Sequence, residues 1–239
     1  VDAVKDILTQ GLAQLDITPP PEAIDQLCRY AQLLVEQNKV MNLTAITDPE
    51  GIARLHFLDS AALLPLCGGA GGKSLIDVGT GAGFPGLVLK ILCPELKLTL
   101  LDSLGKRVNW LSQVARELDL KDVTCLHARA EEQALVKGYR DSFDLVTARA
   151  VADLRLLSEL CLPYAKVGGT FLSMKSVDSG EELDRAAHAI KLLGGRLENI
   201  TDCPIPGCDV THRVVAIRKM APTLKGYPRR WAKIQKEPL

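Results

Sequence analysis

The stretch "CGGAGGKSLIDVGTGAGFPG", residues 67–86, holds two glycine-rich loops on either side of one short apolar run. The run, Ser74–Val78, reads as a buried strand, and the fold turns on which loop belongs to it as a ligand cradle. The first loop, Cys67-Gly-Gly-Ala-Gly-Gly-Lys73-Ser74, nearly spells a phosphate-binding loop. Such a loop follows a strand and opens a helix, because loop amides and the helix N-terminus hold the phosphates. Here the order is reversed: Lys73-Ser74 runs directly into the strand, and Cys67 stands where the pattern needs glycine. The first loop is therefore read as a linker. The second, Gly79–Gly86, follows the strand and leads into the helical stretch 84–92, which puts it where ligands of open α/β sheets bind, at the carboxyl ends of the strands.

Gly81-Ala-Gly83-Phe-Pro-Gly86 fits the G-x-G-x-x-G pattern of dinucleotide sites, but two residues argue against a pyrophosphate. Asp77, at the strand tip, would repel it, and Pro85 removes an amide donor at a helix start. Both suit S-adenosylmethionine, which has no phosphate and carries a positive sulfonium and a positive ammonium. The run Asp77-Val-Gly79-Thr-Gly81-Ala-Gly83 is the acidic-x-Gly-x-Gly-x-Gly arrangement of Rossmann-like methyltransferases. Asp102 ends the next strand, about 20 residues on, where an acid binds ribose hydroxyls; it fits either cofactor. A nicotinamide-dependent oxidoreductase is the alternative enzyme reading. An RNA-binding assembly factor with a degenerate cofactor site is the non-enzyme alternative.

Working outward, strands and helices alternate after the linker. Strands are expected at 74–78, 97–101, 123–127, 143–148 and 169–174, with helices at 84–92, 106–118, 153–165 and 181–193, and closing strands at 196–203 and 213–218. Repeated βα units imply an α/β fold with a mostly parallel sheet and helices on both faces. Before the linker the sequence reads as helices: one at the start, one capped by Thr18 and carrying Ile24, Leu27, Ala31, Leu34 and Val35 at helical spacing, and one over 48–66. The expected organisation is an N-terminal helical cap over 1–67, a Rossmann-like domain over 68–220 and a basic tail over 221–239.

Composition is that of an ordinary soluble domain, and no apolar run reaches the roughly 18–20 residues of a membrane span. The opening residues read as amphipathic helix rather than secretion signal, so the expected location is the cytoplasm. Seven scattered cysteines without a C-x-x-C pair suggest neither a disulfide framework nor a zinc site, and no metal is expected. Net charge is zero but uneven: residues 211–239 carry eight lysines and arginines against Glu237 alone. Such an end either meets a polyanion or is a solvated tail.

The motifs together carry a closer likeness. "NLTAI" (42–46), "HFLDS" (56–60), "DVGTGAGFPGLVLK" (77–90), "LLDSLGKRVNWL" (100–111), "ARAEE" (128–132) and "ARAV" (148–151) occur in order. Over about residues 20–220 the chain resembles the ribosomal RNA small subunit methyltransferase G family, also called glucose-inhibited division protein B. The Gly-Phe-Pro-Gly loop ending is the most specific element. The resemblance implies a class I methyltransferase fold with a seven-stranded sheet, S-adenosylmethionine as donor, and methylation of guanine at ring nitrogen 7 in the 530 loop of 16S ribosomal RNA. It implies a monomer meeting that RNA in the 30S subunit or a precursor. Among site residues it implies Gly79, Gly81 and Phe84 along the cofactor with Asp77 beside them, Asp102 on the ribose, Ala130 and Glu131 at the adenine edge, and Arg149 near the transferred group. The tail departs from the family, with Tyr227-Pro-Arg-Arg-Trp231-Ala-Lys where members often continue Pro-Gly-Thr-Pro. Arg229, Arg230, Lys233 and Lys236 are its candidate RNA contacts, unless Trp231 pins the tail to the fold.

The residues tolerate that chemistry. Ring nitrogen 7 has an in-plane lone pair and no proton to lose, so alignment and desolvation matter more than a general base. The Asn/Asp-Pro-Pro-aromatic motif of exocyclic-amine methylation is absent, since Thr147-Ala-Arg149-Ala stands there. Cys203 comes too late in the order to serve as a pyrimidine-directed nucleophile. His56 reads as a hydrogen-bonded packing residue rather than a base. Asp77 has a loop-capping alternative, and Arg149 a structural one in pairing with Asp153. Lys106 and Arg107 start a helix near the cofactor edge, solvated or on RNA.

Overall fold

The computed structural model describes residues 2–149 and 152–239. Val1 and the last two residues of the Ala-Arg-Ala-Val motif, Ala150 and Val151, lie outside them. Among the described residues a seven-stranded sheet runs in the order β3-β2-β1-β4-β5-β7-β6. Its strands are β1 (Ser74–Val78), β2 (Lys97–Asp102), β3 (Val123–His127), β4 (Phe143–Ala148), β5 (Ala165–Ser176), β6 (Gly195–Pro204) and β7 (Thr211–Lys219). β1 pairs in parallel with both β2 and β4, whereas β7 is antiparallel to β5 and β6. The chain reverses direction in sheet order at β1, so the loop after β1 opens at the switch point where such sheets bind ligands.

Alternation along the strands fills two cores. Leu75, Leu145 and Leu172 face one side, together with α1 (Asp2–Gln14), α2 (Ala23–Asn38), α5 (Gly86–Leu92) and α6 (Gly105–Glu117). Ile76, Val146 and Phe171 face the other, beneath α8 (Leu154–Cys161) and α9 (Gly180–Leu192). The N-terminal helices share the first core with the sheet, so they are fastened to the domain rather than hung from it by the glycine linker. The linker's Lys73 is occupied locally, donating to the carbonyls of Cys67 and Gly68.

Three boundaries differ from the sequence reading. α2 starts at Ala23, after Pro19-Pro20-Pro21, with Glu22 at its N-cap and no side-chain cap; Thr18 lies upstream. The expected helix over 48–66 is composite. α3 (Pro49–Ile52) is capped by Asp48, whose side chain accepts from Gly51 N, and is followed by a π-helical turn, Ala53–Leu58. α4 (Asp59–Ala61) and a 3-10 turn, Leu64–Cys67, complete it. The helix expected over 153–165 ends at Cys161 because Pro163 enters a 3-10 turn, and Ala165 already begins β5. Short helices α7 (Ala130–Gln133) and α10 (Trp231–Lys236) were not expected. Among the described residues no helix is long and apolar enough to cross a membrane.

The tail is part of the fold. Ile234 of α10 is fully buried, whereas Trp231 is only half-buried, so the isoleucine rather than the tryptophan is the apolar anchor. Arg229 is a second anchor: its Nε and NH2 donate to the two oxygens of Glu159 at 2.9 and 2.8 Å. Arg213 pairs with Asp202, Arg218 with Glu198, Lys219 with Asp141 and Lys233 with Glu237. Most of the basic excess is therefore met by acids elsewhere in the chain, and the Arg229 guanidinium, a candidate RNA contact, is engaged with Glu159.

Candidate active site

The loop after β1 is held open by its own sequence. Gly79 and Gly81 adopt φ of +67° and +59°, in the left-handed region that glycine enters without strain. A Cβ built on either would meet nothing within 4 Å, so both border open space. Gly83 and Gly86 are glycines for the opposite reason. A Cβ on Gly83 would collide with Tyr30 Oη, and one on Gly86 would come within 2.6 Å of Leu100 Cδ2 and 2.9 Å of Asp77 Oδ2. The loop thus packs its second half and leaves its first half free.

Asp77 braces this loop. Its carboxylate is fully buried; Oδ2 accepts from Thr80 Oγ1 at 2.7 Å and Gly86 N at 3.0 Å, and Oδ1 from Thr147 Oγ1 at 2.9 Å. Asp77 has no exposed surface and its hydrogen bonds fit the loop-capping alternative, whereas Asp102 is 5% exposed. Burial pushes its pKa up to about 7, against the pull of those hydrogen bonds. Asp102 closes the other side: Oδ2 accepts from Gly81 N and Oδ1 from Leu104 N, both at 2.9 Å. Arg107 reaches Asp102 at 3.8 Å, and Lys106 is exposed. Glu131 lies at the start of α7, beyond the end of β3, nearly buried and paired with Arg129 at 2.7 Å. The Ala130 carbonyl accepts from Tyr164.

The cap reaches into the same place. Tyr30 Oη donates to the Ala82 carbonyl within the loop, and its ring stacks on Phe57 at 5.1 Å. Phe84, expected along the cofactor, is 3% exposed and lies in an aromatic cluster, 5.6 Å from Tyr30 and stacked on His56 at 4.5 Å. Its ring is a wall of the site rather than an open face. The Arg149 guanidinium sits over that ring at 4.9 Å, a favourable placement of cation on aromatic face. Arg149 NH2 donates to His56 Nδ1 at 2.9 Å, and NH1 lies 3.4 Å from Asp59 Oδ2. The partner is thus Asp59 and not Asp153, which holds Arg155 and Arg185 instead.

With its Nδ1 accepting from Arg149, His56 carries its proton on Nε2 and donates it to Thr44 Oγ1 at 2.7 Å. Burial, then Arg149, lowers its pKa to about 3, so the ring is neutral and its lone pair is taken. His56 and Arg149 also line a cavity of about 630 Å³, together with Asp59, Lys175, Glu182 and His212 among others. Asp59, His212, Lys175 and Glu182 were not singled out from sequence. Only Asp59 had a signal, as the acid of the His-Phe-Leu-Asp-Ser motif three residues after His56.

The profile described as rRNA small subunit methyltransferase G matches residues 23–209. The chain belongs to this family. A Ribosomal RNA small subunit methyltransferase G from Acetivibrio thermocellus is 44% identical over 236 residues, covering 99% of this chain and 97% of the relative. One from Lachnoclostridium phytofermentans is 45% identical, covering 96% and 95%. Among solved structures, a SAM dependent methyltransferase from Aquifex aeolicus matches with a TM-score of 0.52 at 20% identity, over 77% of this chain and 98% of that one. It shares the Rossmann-like class I fold. As a member of the methyltransferase G family, the chain is a methyltransferase with S-adenosylmethionine as donor, and the open space beside Gly79 and Gly81 fits that group.

Proposed function

We propose that the protein methylates ring nitrogen 7 of a guanine in the 530 loop of 16S ribosomal RNA, acting as a cytoplasmic monomer on the 30S subunit or a precursor. One observation supports nitrogen 7 in particular. Among the described residues lining the cavity, both carboxylates and His56 are engaged: Asp59 with Arg149 and His212, Glu182 with Lys175, and His56 with Arg149. An acceptor that must lose a proton before attack would find none of these three free, and His212 already holds Asp59 through Nδ1. Ring nitrogen 7 needs only its lone pair brought into line with a desolvated methyl group.

The bound donor supplies an electrophilic methyl group. In this reading Gly79 and Gly81 leave room for it, Asp102 takes the ribose, and Ala130 with Glu131 borders the adenine. Arg149, which lies over the Phe84 ring and also lines the cavity, marks where the donor's methyl group meets the acceptor base entering that cavity, with no side chain between them. The cavity's volume lies within the ordinary range for small-ligand sites. Nitrogen 7 faces the deep, narrow groove of A-form RNA, so the base enters unstacked. Arg230, Lys233 and Lys236 hold the flanking backbone.

The test is transfer of a labelled methyl group to 16S RNA and to 30S subunits from cells lacking this protein, with the site mapped. Label on a different atom or base, or stabilisation by NADH but not by S-adenosylhomocysteine, overturns the reading. Arg149→Ala is expected to lower turnover about 100-fold, the size of effect that misplaced reacting groups produce. Its melting temperature should change little, because Asp59 keeps His212 as a partner. Arg149→Lys should restore little, since an ammonium lacks the planar fork that spans His56 and Asp59 together. Full turnover in Arg149→Ala would return Arg149 to a purely structural role.

A further inference from the structure

A continuous hydrogen-bonded chain crosses the molecule through the cavity wall. It runs from Thr44 to His56 at 2.7 Å, from His56 to Arg149 at 2.9 Å, from Arg149 to Asp59 at 3.4 Å, and from Asp59 to His212 at 2.7 Å. Thr44, His56 and Asp59 belong to the cap, Arg149 follows β4, and His212 lies on β7 at the antiparallel side of the sheet. Asp59 is the hub. It is 2% exposed, and its two oxygens face two different partners. A buried carboxylate with two cationic partners fixes the orientation of both.

We propose that His212 is a positioning residue for Arg149, acting through Asp59, and that its proton gives the acceptor cavity a net positive charge. The proposal rests on the reading of this cavity as the acceptor site. The fixed charges at its lining cancel: Arg149 and Lys175 are matched by Asp59 and Glu182. His56 is held neutral, so His212 is the group that tips the sign. Around His212 the neighbouring groups leave this balance unchanged. Across the ladder, Cys203 of β6 is opposite it, with a thiol kept protonated by burial, and Ser176 is opposite it on β5. Next to it on β7, Arg213 is committed to Asp202.

The hydrogen bond to Asp59 raises the pKa of His212 above that of a free imidazole, and burial opposes this only in part. The folded protein thus binds the proton more tightly than the unfolded chain does. The stabilisation is complete below the ordinary imidazole pKa and is lost as pH climbs through the raised one. Over that interval the cavity passes from positive to neutral, and its hold on a phosphate-bearing nucleotide weakens. At a solvent-facing cavity one screened charge contact corresponds to a change on the order of fivefold.

The experiment has two arms on the full chain. In the first, imidazole signals are followed by NMR against pH, with His212 assigned by its loss in His212→Asn. The expected result is titration above the ordinary imidazole value, moving down toward it in Asp59→Asn. Titration at or below the ordinary value in the unaltered protein overturns the proposal, and so does indifference to Asp59→Asn. In the second, KM for 30S subunits should rise about fivefold through the same pH interval in the unaltered protein, and His212→Asn should lose that limb. The asparagine amide nitrogen stands where Nδ1 does and still donates to Asp59, so His212→Asn should retain more kcat than His212→Ala. Equal kcat in the two variants refutes positioning, and a persisting limb in His212→Asn refutes the charge. Absence of methyl transfer by the unaltered protein would sink the functional reading, while the NMR arm still decides the proton on His212.

Discussion

Gly79→Val is expected to abolish binding of S-adenosylhomocysteine while the protein stays folded. Gly79 is the exposed member of the loop, and its Cβ direction is empty out to 4 Å. An isopropyl group therefore meets no protein atom near the Cβ, and fills the space assigned to the ligand. The backbone cost is real, because φ is +67° and a β-branched residue is strained there by about 1–3 kcal/mol. In a chain of this length that lowers the melting temperature by roughly 5 °C, which leaves the fold intact at room temperature. The binding loss should exceed 100-fold, or about 2.7 kcal/mol. Calorimetry with S-adenosylhomocysteine on both proteins measures it, against micromolar or tighter affinity in the unaltered chain. Gly86→Val is the informative contrast: its added carbons run into Leu100 and the Asp77 carboxylate, so that variant should fail by unfolding. Unchanged affinity in folded Gly79→Val would remove the donor from this loop.

The contrast also shows what the sequence could and could not carry. Glycine spacing after an apolar strand locates the ligand loop, because only a strand–loop–helix order puts amides and open space at a sheet's carboxyl edge. It does not distinguish glycines that face a ligand from glycines that face Tyr30 or Leu100, since those neighbours come from α2 and β2. Asp77 shows the same limit. A carboxylate at a strand tip was read as a direct attraction for a cationic donor, yet Thr147, 70 residues away, helps fold it inward. His56, expected as a hydrogen-bonded packing residue, is buried, stacked on Phe84 and hydrogen-bonded at both ring nitrogens. Its use as the acceptor for Arg149 depends on a π-helical turn that periodicity does not announce. Asp59 and His212, separated by 153 residues, meet only because β7 enters the sheet antiparallel beside β5.

Charge counting failed most clearly in the tail, and Arg229→Ala should expose the reason. Sequence alone counts cations; it does not count the acids that fold against them. Glu159 lies on α8 with its side chain 1% exposed, and Arg229 grips it through Nε, NH2 and the backbone amide. Removing the guanidinium leaves a buried carboxylate without its cation, at a cost of about 3–5 kcal/mol. The melting temperature should fall by roughly 10 °C. Replacing Arg230, Lys233 and Lys236 with glutamine should do the reverse. Arg230 and Lys236 are exposed, and the Lys233–Glu237 pair is about half exposed on both sides and contributes little. That triple variant should melt near the unaltered protein, yet lose roughly two units from the slope of log affinity for RNA against log salt, at about 0.7 per single-strand contact. An unchanged slope would mean that the tail serves only to brace α8. A stable Arg229→Ala protein with a flattened slope would restore Arg229 to the RNA face and leave Glu159 tolerating burial alone.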